Sequence, residues 1–286
     1  MSHMTLAQSF SSPTASFKQP EKPKMTECYF CDVDNVKTLI GSNNSNRKIT
    51  PLSVVGKPVI EGLPTLFEPP ALIDIPVQYS TPLYQEDYIK TGLYEKMHRP
   101  AFNDLKKLLD AARSLEIDLY VHSAYRSYEN QCKVFTRKLK KEIETKKMSL
   151  PAAIVSVNSR SALPGQSEHQ LGTSVDLVTF LPQYETSDKP KYSGYAVEYE
   201  MQNTPAFKWL QANAYRYGFV MSYPLVPNFT LNAVNPRTGY IFEPWHWRWI
   251  GAKHATLFKR CGNLVLREYL QKLAINPHFQ CITSYK

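Results

Sequence analysis

No stretch of this chain approaches the ~18 consecutive apolar residues of a membrane helix, so no membrane-spanning helix is expected. Cysteine is scarce and odd in number, with Cys28, Cys31, Cys132, Cys261 and Cys281. At least one of the five must stay unpaired within a single chain, which excludes a full disulfide framework but leaves room for one bridge. Cys28 and Cys31 form a C-x-x-C. No second pair and no strand–helix context accompany them, so neither a redox pair nor half of a zinc site is expected there. No internal repeat is present, and strands and helices do not alternate as a β-α-β chain would require. The opening "MSHMTLAQSF" lacks an apolar signal core, and its Ser-His-Met is what a cloning junction leaves. We therefore expect the natural gene to encode a signal peptide or lipid anchor upstream.

What is present is ample for a packed core: 286 residues, 43% hydrophobic and 12% aromatic. The net charge of +9 suits an anionic environment, whether nucleic acid, a membrane surface or an acidic cell-envelope polymer. Basic residues are scattered apart from "RKLKKEIETKK" at 137–147, where alternating signs at helical spacing read as a solvated helix face. No nucleic-acid motif accompanies the charge, so nucleic acid is not expected as a partner.

Residues 1–27, rich in Ser, Pro, Lys and Thr, read as a disordered tail. Residues 28–84 hold short β-prone pieces such as "ALIDIPVQY" broken by Pro, Gly and Asn, and read as an irregular extension of the main domain, 85–286. In that domain "RPAFNDLKKLLDAARSLE" puts Phe102, Leu105, Leu108, Leu109 and Ala112 on one helical stripe. A strand should follow at 117–127 and a helix capped by Ser127 at 127–147. Further strands are expected at 174–181, 219–223 and 238–249, and helices at 205–218, closed by Gly218, and 264–274. This order favours α+β with a small antiparallel sheet.

Three segments hold candidate chemistry. In "PGQSEHQLGTSVDLV" (164–178), His169 and Asp176 are seven positions apart, about 23 Å if extended. Ligands of one metal lie far closer, so the chain must turn between them, and Gly172 is the place for it. Asp176 opens an apolar strand, where an unpartnered carboxylate is costly. In "FEPWHWRWIG" (242–251), Glu243 and His246 would point to opposite faces of a regular strand. Pro244 should mark the irregularity that lets them converge. Trp245, Trp247 and Trp249 would then line one face as walls. Two histidines and one carboxylate give a zinc three protein ligands and leave a fourth position open. In "SAYRSYENQ" (123–131), Arg126 sits at a strand end, able to grip a carboxylate or an oxyanion.

In this order the segments read S-x-x-R-S, S-x-H-x-x-G-x-x-x-D and E-x-W-H, and so resemble the VanY-like carboxypeptidases. Those zinc peptidases are related to lysostaphin-type peptidases and hedgehog domains. The resemblance covers roughly 85–270. It implies a zinc site on the sheet, with His169, Asp176 and His246 as ligands. It further implies Glu243 as general base, Arg126 as stabiliser of the oxyanion, and Ser167, Gln131 and Trp245 as residues that hold substrate. The implied activity is removal of a terminal D-alanine from peptidoglycan stem peptides, in the cell envelope. Relatives divide between D,D-carboxypeptidases and L,D-carboxypeptidases, and a non-catalytic zinc-holding cell-wall module is a third reading.

Overall fold

A computed structural model of the chain describes residues 69, 71–180, 195–196, 198–225, 227, 230–279 and 281. The tail at 1–27, most of the extension and the Cys28/Cys31 motif lie outside the described residues.

The central sheet runs β3 (Tyr120–Ser123), β4 (Ser174–Phe180), β7 (His246–Trp249), β6 (Phe219–Met221), all neighbours antiparallel. The short β5 (Tyr195–Ala196) pairs with the far end of β4. A separate ribbon joins β1 (Leu72–Asp74) to β2 (Lys96–His98). Seven α-helices among the described residues surround these strands: α1 (Pro82–Thr91), α2 (Arg99–Arg113), α3 (Tyr128–Lys146), α4 (Leu150–Asn158), α5 (Pro205–Asn213), α6 (Ala252–Arg260) and α7 (Leu266–Ile275). The fold is α+β, as the order of patterns implies.

The amphipathic stripe of α2 explains one face of the sheet. Phe102, Leu105, Leu108, Leu109 and Ala112 are buried in one cluster with Val121, Val175, Leu177, Phe219 and Trp247. Truncating a residue such as Leu105 to Ala should cost about 2–5 kcal/mol. The opposite sheet face carries Asp176 and His246 and is left for chemistry. Ser127 caps α3 by accepting the Asn130 N–H at 3.2 Å. The helix at 205 tightens after Asn213 into a 3-10 turn, and Gly218 closes it at φ 85°. A disulfide joins Cys261, after α6, to Cys281 beyond α7.

Two helices escape the sequence reading. α4 is apolar nearly all round, because it packs with Phe135 and Leu139 of α3 in a second small core. α6 starts directly after the tryptophan-rich segment at Gly251, too close for its period to be separated from the strand. The boundary at 84/85 falls inside α1, and Ile75 is fully buried in the main core.

The strand expected at 238–249 is much shorter. Only His246–Trp249 pairs, since Glu243–Pro244–Trp245–His246 forms a turn closed by His246 N–H donating to the Glu243 carbonyl at 3.2 Å. Proline is suited to the second position of such a turn through its fixed φ.

Candidate metal centre and its cleft

Strand register assembles the centre. Ser123 lies opposite Asp176 and Asp176 lies opposite His246, so three neighbouring strands place them in one row. The register of β3 shifts between Val121 and Ser123, a bulge that re-aims Ser123 to the face of Asp176. His169 comes from the 3-10 turn Glu168–Leu171, which Gly172 ends at φ 66°. A Cβ there would sit 2.9 Å from Pro69 Cγ and 3.0 Å from Leu72 Cδ2, so the turn needs glycine twice over.

The two imidazoles are oriented from behind. His169 Nδ1 lies 2.6 Å from the Ala124 carbonyl, which can only accept, so Nδ1 carries the proton. Its Nε2 faces Asp176 Oδ2 at 3.3 Å. His246 Nε2 lies 3.0 Å from Glu168 Oε2, and its Nδ1 lies 3.0 Å from Asp176 Oδ1. One ligand atom from each of His169, Asp176 and His246 falls within 4.8 Å of the others. That donor set, two imidazoles and a carboxylate with their backs hydrogen-bonded, fits a zinc ion with an open fourth position. Tyr223 stacks on the His246 ring, centroids 5.0 Å apart.

Without a metal the carboxylates dominate the electrostatics. Burial works against a charged His246, but its bonds to Asp176 and Glu168 outweigh it and lift its pKa to about 10. Burial holds the His169 pKa below the ordinary value despite Asp176. Asp176 is pushed up by burial and drawn well below the carboxylate range by His169 and His246.

Glu243 is buried where the Pro244 turn begins and lines the same cleft. Its carboxyl accepts no hydrogen bond among the described residues. Burial raises its pKa to about 8, with Asp176 and Glu168 adding to the rise and His246 and Lys138 opposing it. Arg126 reaches the centre from the β3–α3 turn. Its Nη1 donates to Gln131 Oε1 at 2.9 Å, its Nη2 donates to Ser123 Oγ at 3.0 Å, and its backbone N–H donates to the His169 carbonyl at 3.2 Å. Gln131 in turn donates to the Ala162 carbonyl at 2.6 Å. Arg126 is thus held by neutral partners and keeps its charge for a ligand.

All eight sequence candidates border one cleft of about 850 Å³: Arg126, Gln131, Ser167, His169, Asp176, Glu243, Trp245 and His246. The tryptophan wall shrinks to one residue. Trp245 lines the cleft against Tyr199, ring centroids 5.7 Å apart. Trp247 points the other way into the main core, with its indole N–H on the Pro244 carbonyl at 3.1 Å. Trp249 packs at the edge of that core and donates to Asp104 at 3.1 Å. Alternation along β7 separates these two indoles from His246 and Arg248, and the turn detaches Trp245 from their face.

The sequence reading missed Glu168 and its partners. Glu168 accepts from Ser222 Oγ at 2.6 Å, Arg248 Nη1 at 2.8 Å and His246 Nε2. Burial disfavours its charge, yet Arg248 and His246 bring its pKa down to about 2. Arg248 itself is fully buried. The one available signal was an acid directly before His169 in "SEHQLG".

Residues 94–252 match the family model described as VanY, D-alanyl-D-alanine carboxypeptidase. Over 246 residues the chain is 29% identical to the putative carboxypeptidase YodJ of Bacillus subtilis (strain 168), covering 86% of this chain and 75% of that protein. Among solved structures, it is similar to the vancomycin resistance D,D-pentapeptidase VanY, solved as a point mutant with Zn(II). That similarity has TM-score 0.52 and 28% identity, over 73% of this chain and 94% of that one. It is also similar to the LD-carboxypeptidase LdcB, with TM-score 0.54 and 27% identity over 78% of this chain and 85% of that one.

Proposed function

Since the chain belongs to the VanY D-alanyl-D-alanine carboxypeptidase family of zinc metallopeptidases, we propose that it is a D,D-carboxypeptidase that removes the terminal D-alanine from peptidoglycan stem peptides. The observation that carries this reading is the convergence of His169, Asp176 and His246 within 4.8 Å, in a cleft that also holds Glu243 and Arg126. A zinc held only for structure needs neither an adjacent acid nor a guanidinium held beside it by neutral partners.

His169 Nε2, an Asp176 oxygen and His246 Nδ1 would hold the zinc. Bound there, zinc polarises the scissile carbonyl and lowers the pKa of water towards ~7. Glu243 takes a proton from the attacking water as its oxygen bonds to the carbonyl carbon. It then passes that proton to the amine as the C–N bond breaks, releasing D-alanine and a stem shorter by one residue. Burial raises the Glu243 pKa, which suits giving the proton to the amine, and the charge of a bound zinc would lower it again, which suits taking the proton from water. Arg126, locked by Ser123 and Gln131, presents its positive charge to the oxyanion. Ser167, Gln131 and Trp245 border the space where the substrate lies.

The Cys261–Cys281 disulfide supports a workplace in the cell envelope, because disulfides persist in oxidising compartments. Fractionation of source cells tests that location. The specificity is tested with defined pentapeptide and tetrapeptide stems, measuring D-alanine released. Release from the pentapeptide is expected; release from the tetrapeptide alone makes the chain an L,D-carboxypeptidase instead.

A further inference from the structure

Beyond the metal centre, one wall of the cleft is formed by α3. Gln131, Val134, Lys138 and Lys141 follow one another at spacings of 3, 4 and 3 residues, the period of a single helix face, and all line the cleft. Arg137 stands at the same wall. The basic run first read as a solvated surface therefore has one edge turned into the cleft.

These cations are not spent on one another's neighbours. Glu142, the buried acid of α3, is taken by Lys146 at 2.9 Å and by Arg160. Arg137, Lys138 and Lys141 form no ion pair among the described residues. Lys138 is half-buried, and loss of hydration is the largest influence on it. Glu243 and Asp176 act on it favourably, while Arg126 and Arg160 add like charge. A half-hydrated ammonium crowded by two guanidiniums favours an incoming anion.

Position restricts what that anion can be. Gln131 marks the metal end of α3 through its bond to Arg126. At 1.5 Å per residue, the backbone positions of Lys138 and Lys141 lie about 10 and 15 Å further along the helix. An extended peptide covers that distance in about three to five residues at 3.3 Å each. A carboxypeptidase has a single residue on the leaving side, so a chain of that length lies only on the N-terminal side of the scissile bond.

We propose that Lys138 and Lys141, with Arg137 beside them, form a subsite for a free carboxylate carried by the substrate about three to five residues N-terminal to the scissile bond. This rests on the carboxypeptidase reading and adds a specificity to it: stems with a free acid at that place are preferred over stems with a carboxamide.

Two synthetic pentapeptide stems differing only in that acid or amide provide the test. The zinc-loaded protein should show kcat/KM about tenfold higher for the acid, as a charge-assisted contact implies. In K138Q/K141Q that ratio should fall to about one. Thermal melting checks that the variant folds, and both side chains reach solvent. Equal kcat/KM for the two stems in the parent overturns the subsite. So does a preference that survives in K138Q/K141Q, and so does an equal loss on both stems, which would mean that Lys138 acts only through Glu243. Affinity for the two stems, measured by calorimetry on zinc-loaded E243A, reads the subsite without turnover. Acid-selective binding by E243A, combined with no D-alanine release from either stem by the zinc-loaded parent, supports the subsite and refutes the carboxypeptidase reading.

Discussion

Replacing Glu168 tests how the metal centre is held. Its carboxylate accepts from three buried donors: Ser222 at 2.6 Å, Arg248 at 2.8 Å and His246 at 3.0 Å. Glu168→Ala removes the carboxylate that pairs with Arg248, a side chain that is 0% exposed. Breaking a buried pair from one side costs about 3–5 kcal/mol, a large share of the roughly 5–15 kcal/mol that holds a protein folded. At about 2–4 °C per kcal/mol, melting should fall by roughly 6–20 °C. Glu168→Gln is the finer probe. Glutamine offers one acceptor oxygen and an NH₂ in place of two oxygens. Since Oε1 faces Arg248 and Oε2 faces His246 and Ser222, the amide must turn its NH₂ towards one set of donors. If it faces His246, Nε2 must become the acceptor and the proton moves to Nδ1, the atom aimed at the metal. Loss of such a partner typically weakens metal binding about 10–100-fold, or about 1.4–2.8 kcal/mol. Zinc affinity by competition with a chromophoric chelator, and the histidine tautomers by nitrogen NMR, are the assays. A folded E168Q protein with parental zinc affinity and unchanged tautomers would falsify the view that Glu168 orients His246.

Four further outcomes follow from the same geometry. Glu243→Ala should keep zinc but lose about 10²–10⁴-fold in kcat, the usual worth of a general base; full activity would remove Glu243 from that role. Without metal, His246 holds its proton up to about pH 10 and Glu243 up to about pH 8. Both folded pKa values lie above the ordinary ones, so the stability they contribute is complete at low pH and declines as pH rises through them. The metal-free protein should therefore melt lower at pH 9 than at pH 6, because the opposite influence of Glu168 acts only below about pH 4.5. Zinc must displace the His246 proton, so its affinity should rise about tenfold per pH unit from pH 7 to 9; a flat titration contradicts a charged His246. Trp247→Ala, in the core, should cost about 3–5 kcal/mol in denaturant unfolding, whereas Trp245→Ala should raise KM with little loss of stability. Equal destabilisation by the two would undo their assignment to opposite sides of the sheet.

The sequence by itself determined what depends on near neighbours. The α2 stripe, the Ser127 cap, the Gly172 turn and the break at Pro244 all act over a few residues, and each produces its local structure wherever the chain goes next. The candidate ligands were legible for the same reason, as motifs within short segments. Distance between segments was not. Asp176 meets His246 because β4 and β7, seventy positions apart, pair in one register. That register is decided by which residues bury Val175, Leu177 and Trp247 against α2, and a slip of one residue would turn Asp176 into the core. Only tertiary structure could join Glu168 to Arg248, eighty positions away, or sort three similar tryptophans into one cleft wall and two core-packing residues. It also showed that a helix face of ordinary-looking lysines borders the cleft, since a charged side chain looks the same in sequence whether it faces bulk water or a substrate.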